Sequence, residues 1–181
     1  MITIGFLELN SIAKGVEAAD IMVKTAEVRL LSAKPSCPGK YHILVCGEVA
    51  AVQASVDAGA LVGGGHVIDK LVIARIHPQV IEAINLATMP ERPNAVGVME
   101  YFSVTASILG ADAAVKAAEV TLLEVRLGTG IGGKSFVVLT GEVAAVEEAT
   151  RAGCVLAEEQ GMLVSRVVIP NPHPDVFKSL Y

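Results

Sequence analysis

The chain has 181 residues, 52% of them hydrophobic, enough for one large core or two small ones. Lys and Arg number 14 against 19 Asp and Glu, a net charge of −5, so no basic stripe exists to release counterions from a phosphate backbone and nucleic acid is not an expected partner. Mean hydropathy is high at +0.57, but Asp20, Lys24, Asp57, Asp69, Glu100 and Asp112 break each apolar stretch before it could span a bilayer, so no membrane segment is expected.

The run Ile2 to Leu9 is too short for a helix and is bounded by Asn10-Ser11, which predicts a buried strand and leaves no room for a leader. Ser11 can cap a helix in which Ile12, Val16, Ala19 and Val23 form the inward face, while Lys14, Glu17, Asp20 and Lys24 point away. Val28 to Lys34 and Tyr41 to Gly47 read as a strand pair, joined by a tip from Pro35 to Lys40 in which two prolines and a glycine stop the ladder. A second helix carries Val49, Val52 and Val56 inward and stops at Gly63-Gly64-Gly65. Val67 to Ile76 is the last strand, before His77-Pro78.

This order then repeats. Gly5 and its neighbours return around Gly97, an offset of 92; Gly47-Glu48-Val49-Ala50-Ala51-Val52 returns unchanged as Gly141 to Val146, an offset of 94; His77-Pro78 returns as His173-Pro174, an offset of 96. The fold expected is α/β (α+β), two tandem β-α-β-β-α-β domains at 1–87 and 95–181 joined by a linker at 88–94. The first length change falls in the hairpin tip. There Ser36-Cys37-Pro38-Gly39 is replaced by the glycine-rich segment 128–133, with Gly130, Ile131, Gly132 and Gly133 at its centre, and this divergent tip is the candidate functional loop.

Gly128 to Ser135 also fits the phosphate-loop pattern G-x-x-x-x-G-K-[ST]. That motif needs a helix starting at its lysine to aim N–H groups at phosphates, whereas Lys134 leads into the strand-like Ser135-Phe136-Val137-Val138-Leu139. A flexible hairpin tip is the reading retained. Cys37, Cys46 and Cys154 have no CxxC spacing, which argues against a disulfide framework or a single-chain zinc site and for reduced thiols in the cytoplasm. Cys37 lies between Pro35 and Pro38, with Lys34 and Lys40 adding positive charge that would favour a thiolate; the residues alone still favour an inert thiol over a ligand. Cys46 and Cys154 sit in apolar segments and read as structural. Glu8, Glu100, His77 and His173 also read as structural, since no catalytic constellation can be assembled around them, and no enzyme is expected.

These landmarks together resemble the bacterial microcompartment shell family: Gly-x-Leu-Glu at a strand start, Asp20 and Lys24 at helical spacing, Gly-Glu-Val-Ala-Ala-Val, and a closing Pro-His-Pro. The unpermuted duplication, with a cysteine tip followed by a glycine tip, is similar to the tandem T-type members of propanediol-utilisation shells. The resemblance implies a homotrimer that imitates a hexamer, with hairpin tips around a central pore, inside a cytoplasmic microcompartment. It further implies one [4Fe-4S] cluster per trimer, held by Cys37 of each of three chains, for electron or cluster transfer across the shell. Lys24, Lys116 and Arg75 are then expected at tile edges against other shell proteins, the counterpart of Arg75 being Asn171, and a redox enzyme or flavoprotein is expected at the pore. Two alternatives stay open: a tile with an open metabolite pore and no cluster, and a trimeric ligand-sensing regulator.

Overall fold

The computed structural model describes residues 2–85 and 94–178. The chain divides into two compact units, Met1–Ile76 and His77–Tyr181. Unit 1 contains β1 (Thr3–Leu9), α1 (Ile12–Thr25), β2 (Val28–Ser36), β3 (Lys40–Gly47), α2 (Val49–Gly63), a 3-10 turn (Gly64–His66) and β4 (Val67–Ile73). Unit 2 contains α3 (Pro78–Ile84), β5 (Ala95–Tyr101), α4 (Val104–Ala117), β6 (Thr121–Leu127), β7 (Ser135–Gly141), α5 (Val143–Glu159), β8 (Leu163–Ile169) and α6 (Pro174–Lys178). Each unit has one four-stranded antiparallel sheet, ordered β2-β3-β1-β4 and β6-β7-β5-β8.

The central strand β1 is buried along its whole length. Its odd positions face the helices. A Cβ on Gly5 would lie 2.5 Å from Val56 and 2.8 Å from Val52, so only glycine lets α2 approach this closely, and Gly97 does the same under α5 against Thr150 and Val146. Leu7, Leu9, Ala18, Met22, Ile43, Val45, Val52 and Val56 form the core between helices and sheet in unit 1. Ser11 and Ser103 cap α1 and α4 by accepting from the backbone N–H of Lys14 and Ala106.

Four sequence expectations are corrected here. The buried face of α1 is Gly15, Ala18, Ala19 and Met22, leaving Ile12, Val16 and Val23 exposed. This helix carries two apolar stripes, and the one with small residues packs because Tyr41 fills the space above Gly15. Val49 opens α2 and is exposed, while Val52 and Val56 point inward as expected. The ladder continues through Pro35 and Ser36, which pair with Tyr41 and Lys40. Proline is tolerated there because β2 is an edge strand whose outer side needs no donor. Finally, β4 ends at Ile73, and Pro78 sits at the start of a helix, the position its fixed φ favours, rather than in a plain turn.

That helix, α3, belongs by repeat to the first copy but packs in unit 2, against β6 and α4. Gln79 receives the backbone N–H of Leu122 at 2.9 Å, and the His77 N–H donates to Asp112 Oδ1 at 2.8 Å. The packing boundary thus lies after Ile76. The linker expected at 88–94 falls, apart from Asn94, outside the described residues.

Candidate functional site

The first hairpin tip is short because both strands run nearly to its apex. Ser36 closes the ladder opposite Lys40, leaving only Cys37, Pro38 and Gly39 to turn the chain. Gly39 has φ +66 and open space around its missing Cβ, the left-handed geometry that glycine adopts without strain. A proline with a fixed φ and a glycine at positive φ hold Cys37 on a stiff turn. Its side chain is half-buried, whereas Cys46 and Cys154 are buried.

Beneath this tip lies a polar cluster that the sequence reading did not assemble. Glu8 on β1 is buried and receives Lys40 Nζ at 2.9 Å and the His42 ring Nε2 at 3.1 Å. His42 packs edge-on against Phe6, and its Nδ1 is buried without a partner among the described residues. Lys40 is therefore engaged by the Glu8 carboxylate. Burial pushes the Glu8 carboxyl up, but the hydrogen bonds and charges of His42 and Lys40 outweigh it, and the net direction is below the usual carboxylate value. A carboxyl depressed in the fold adds stability above its unfolded value and loses it as pH falls through the folded one. Wild type should therefore exceed Glu8→Gln in urea resistance at neutral pH, and the gap should close below about pH 4. A gap that is unchanged or wider in acid would contradict this.

The second tip stands on a matching scaffold with different chemistry. Lys134 Nζ pairs with Glu100 at 2.8 Å, as Lys40 does with Glu8, but Phe136 replaces His42 and carries the Arg126 guanidinium over its ring at 5.6 Å. Gly128, Gly130, Gly132 and Gly133 all have positive φ, so the tip is built from conformations that other residues adopt only with strain. Strand β7 follows directly at Ser135 and Lys134 is bound to Glu100, so the helix that the phosphate-loop motif needs at its lysine does not start there.

The remaining singled-out residues lie apart from the tips. Cys46 accepts from Arg29 Nε at 3.4 Å. Burial pushes the Cys154 thiol up, which keeps it protonated and unreactive. Lys24 is exposed and paired with Asp20 at 2.6 Å; Lys116 pairs with Asp112, whose other oxygen holds the His77 N–H. Arg75 is the one non-glycine residue at positive φ among the described residues, at 59. His77 caps α3 through its backbone, as a turn residue would. Among the described residues no three His, Cys, Asp or Glu side chains gather to hold a metal within one chain, and no helix is long and apolar enough to cross a membrane.

Comparison with known proteins accounts for this scaffold. The BMC domain matches residues 3–76 and again 95–172. The microcompartment shell protein PduT of Citrobacter freundii is 44% identical over 177 residues, covering 98% of this chain and 96% of its own. The carboxysome shell protein CcmK2 of Thermosynechococcus vestitus is 41% identical over 80 residues, covering 42% of this chain and 78% of its own. A solved microcompartment protein from Desulfitobacterium hafniense superposes with a TM-score of 0.93 at 53% identity, covering 98% of this chain and 99% of that one. With both halves matched and the whole length aligned, the chain belongs to the BMC-domain family of bacterial microcompartment shell proteins, as a member with two domains in tandem.

Proposed function

We propose that three copies of this chain close a six-domain ring that forms a tile of a microcompartment shell. The hairpin tips surround the pore, and Cys37 of each chain together hold one [4Fe-4S] cluster. The observation that carries this reading is the contrast between the tips. Two scaffolds share strand order, capping serines and a Lys–Glu pair, and they diverge at the tip, where one copy presents a half-buried thiol on a stiff turn and the other an unobstructed glycine loop. Thiolate is the donor that such clusters take. One chain supplies one ligand, and closed three-fold symmetry brings three together, leaving the fourth iron open to a small ligand or a redox partner. When bound, the cluster supplies one-electron chemistry. The protein's part is to present the thiol, with Pro38 and Gly39 fixing its direction and the Glu8–Lys40 pair anchoring the strand below.

Shell assembly follows from the tile edges. Lys24 and Lys116 stand on matching helices with their aspartates, and Arg75 lies on the turn after β4; these are the contacts proposed toward neighbouring tiles. The test is assembly by light scattering and electron microscopy. The wild-type chain should be a trimer that associates into sheets. Lys24→Ala should keep the trimer, because an exposed ion pair adds little to folding, and should lose the sheets; Lys116→Ala should do the same at some cost in stability, because its partner Asp112 is nearly buried. A monomeric wild-type chain would overturn the tile reading, and variants that lose the trimer would move these lysines into the ring.

A further inference from the structure

The duplication gives each surface of unit 1 a counterpart in unit 2, and one pair of counterparts differs sharply in burial. On α4 and β6, Val104, Ile108 and Leu122 are 1%, 0% and 4% exposed; their counterparts on α1 and β2, Ile12, Val16 and Leu30, are 46%, 54% and 44% exposed. Asp112 is nearly buried and receives the His77 N–H, whereas Asp20 is exposed and, among the described residues, keeps only its contact with Lys24. In unit 2 this region is where α3 docks. The counterpart of α3 is α6, which is anchored by Phe177 against Val96, Leu123 and Val138, while Val176, the counterpart of buried Val80, is 52% exposed.

We infer that the exposed stripe Ile12–Val16–Asp20–Leu30 of unit 1 is the docking site for the α6 segment of a second copy of this chain. The inference rests on the ring proposed above and names the segment that closes it. By the α3 pattern, the second copy's His173 N–H donates to Asp20 Oδ1, and its Val176 covers Val16 and Leu30. Two coupled sequence changes fit the same occupant. Gln79, which bonds the backbone on either side of Thr121, becomes Asp175, and Thr121 becomes Arg29. A neutral amide beside a hydroxyl residue in one interface is thus matched by opposite charges in the other. Arg29 and Asp175 are both exposed, and Arg29 lines an open cleft with Val28 and Cys46. Such charge complementarity sets partner choice and register more than raw affinity. Exposed apolar stripes beside it add the burial that holds a ring together.

The experiment measures trimer dissociation by analytical ultracentrifugation at micromolar concentration, with circular dichroism to confirm folding. Arg29→Glu should weaken the trimer by about tenfold or more, Asp175→Arg should do the same, and the double variant Arg29→Glu/Asp175→Arg should restore it. Leu30→Asp, on an exposed position, should leave a folded monomer. Folded single variants that remain trimers as tight as wild type, or a double variant that restores nothing, would overturn this docking site while leaving the ring standing. A wild-type chain that is itself monomeric would overturn both.

Discussion

Replacing Cys37 with Ser should abolish iron and sulfide binding altogether. Serine nearly keeps the size of the side chain but removes the thiolate, and in a three-fold ring one substitution removes all three ligands at once. Folding should survive. The tip is three residues long, its thiol is only half-buried, and the core between helices and sheet is untouched. Cys46→Ser and Cys154→Ser act as the contrast. Both thiols are buried and lie away from the tip, Cys46 accepting from Arg29 and Cys154 beside the Tyr101 hydroxyl, so these variants should keep the cluster and, with a polar neighbour at each position, lose little stability. Anaerobically purified Cys37→Ser protein with wild-type iron and sulfide content would contradict the assignment. So would loss of visible absorbance on changing either of the other two cysteines.

The largest expected effect on stability is in the helix crossing of unit 2. There α4 and α5 meet through Gly110 and Gly153. A Cβ on Gly110 would lie 2.2 Å from the Tyr101 hydroxyl and 2.7 Å from the Gly153 carbonyl oxygen, and a Cβ on Gly153 would lie 2.7 Å from the Gly110 carbonyl oxygen. Backbone cannot move aside as a flexible side chain can, so any substituent separates the helices. Tyr101 compounds the cost. Its hydroxyl is buried, donates to the Gly153 carbonyl at 3.0 Å, and is pushed well above the usual phenol value by burial. Gly110→Val would displace it and break that hydrogen bond. Overpacking and the lost hydrogen bond together should cost about 3 kcal/mol or more, read as a lower urea midpoint for unit 2. Gly65→Ala meets open space and should stay within about 0.5 kcal/mol of wild type. A Gly110→Val protein as stable as wild type would show that the helices can part cheaply.

Much of the fold was legible in the sequence because the repeat supplied two readings of each element. Strand β7 after Lys134 identified the phosphate-loop pattern as a decoy, and Ser11 announced α1. What was misread follows from limits of local pattern. Periodicity shows that α1 has apolar stripes, but Ile12, Val16 and Val23 score as core residues whether they face the sheet or the outside of the unit. The small stripe Gly15-Ala18-Ala19 wins because Tyr41 occupies the gap. Pro35 reads as a strand breaker, yet it is harmless on an edge strand, and edge position is a tertiary fact. Helix α3 did leave a signal in Pro78 followed by Val80, Ile81, Ala83 and Ile84, which a search for helix starts at proline could have found. At the site, the divergent tip with Cys37 was visible as the point where the copies part. The Glu8–Lys40–His42 cluster was not, because Glu8 lies 32 residues from Lys40 and only the register of β1 against β3 brings them together.

The central claim is that three thiols from three chains hold one cluster, and its most direct measure is iron and acid-labile sulfide per trimer in wild-type protein purified or reconstituted without oxygen. The account predicts about four of each per three chains, with three chains per particle by light scattering. A well-formed trimer that carries neither iron nor sulfide after anoxic reconstitution would contradict it and leave an open pore in the shell.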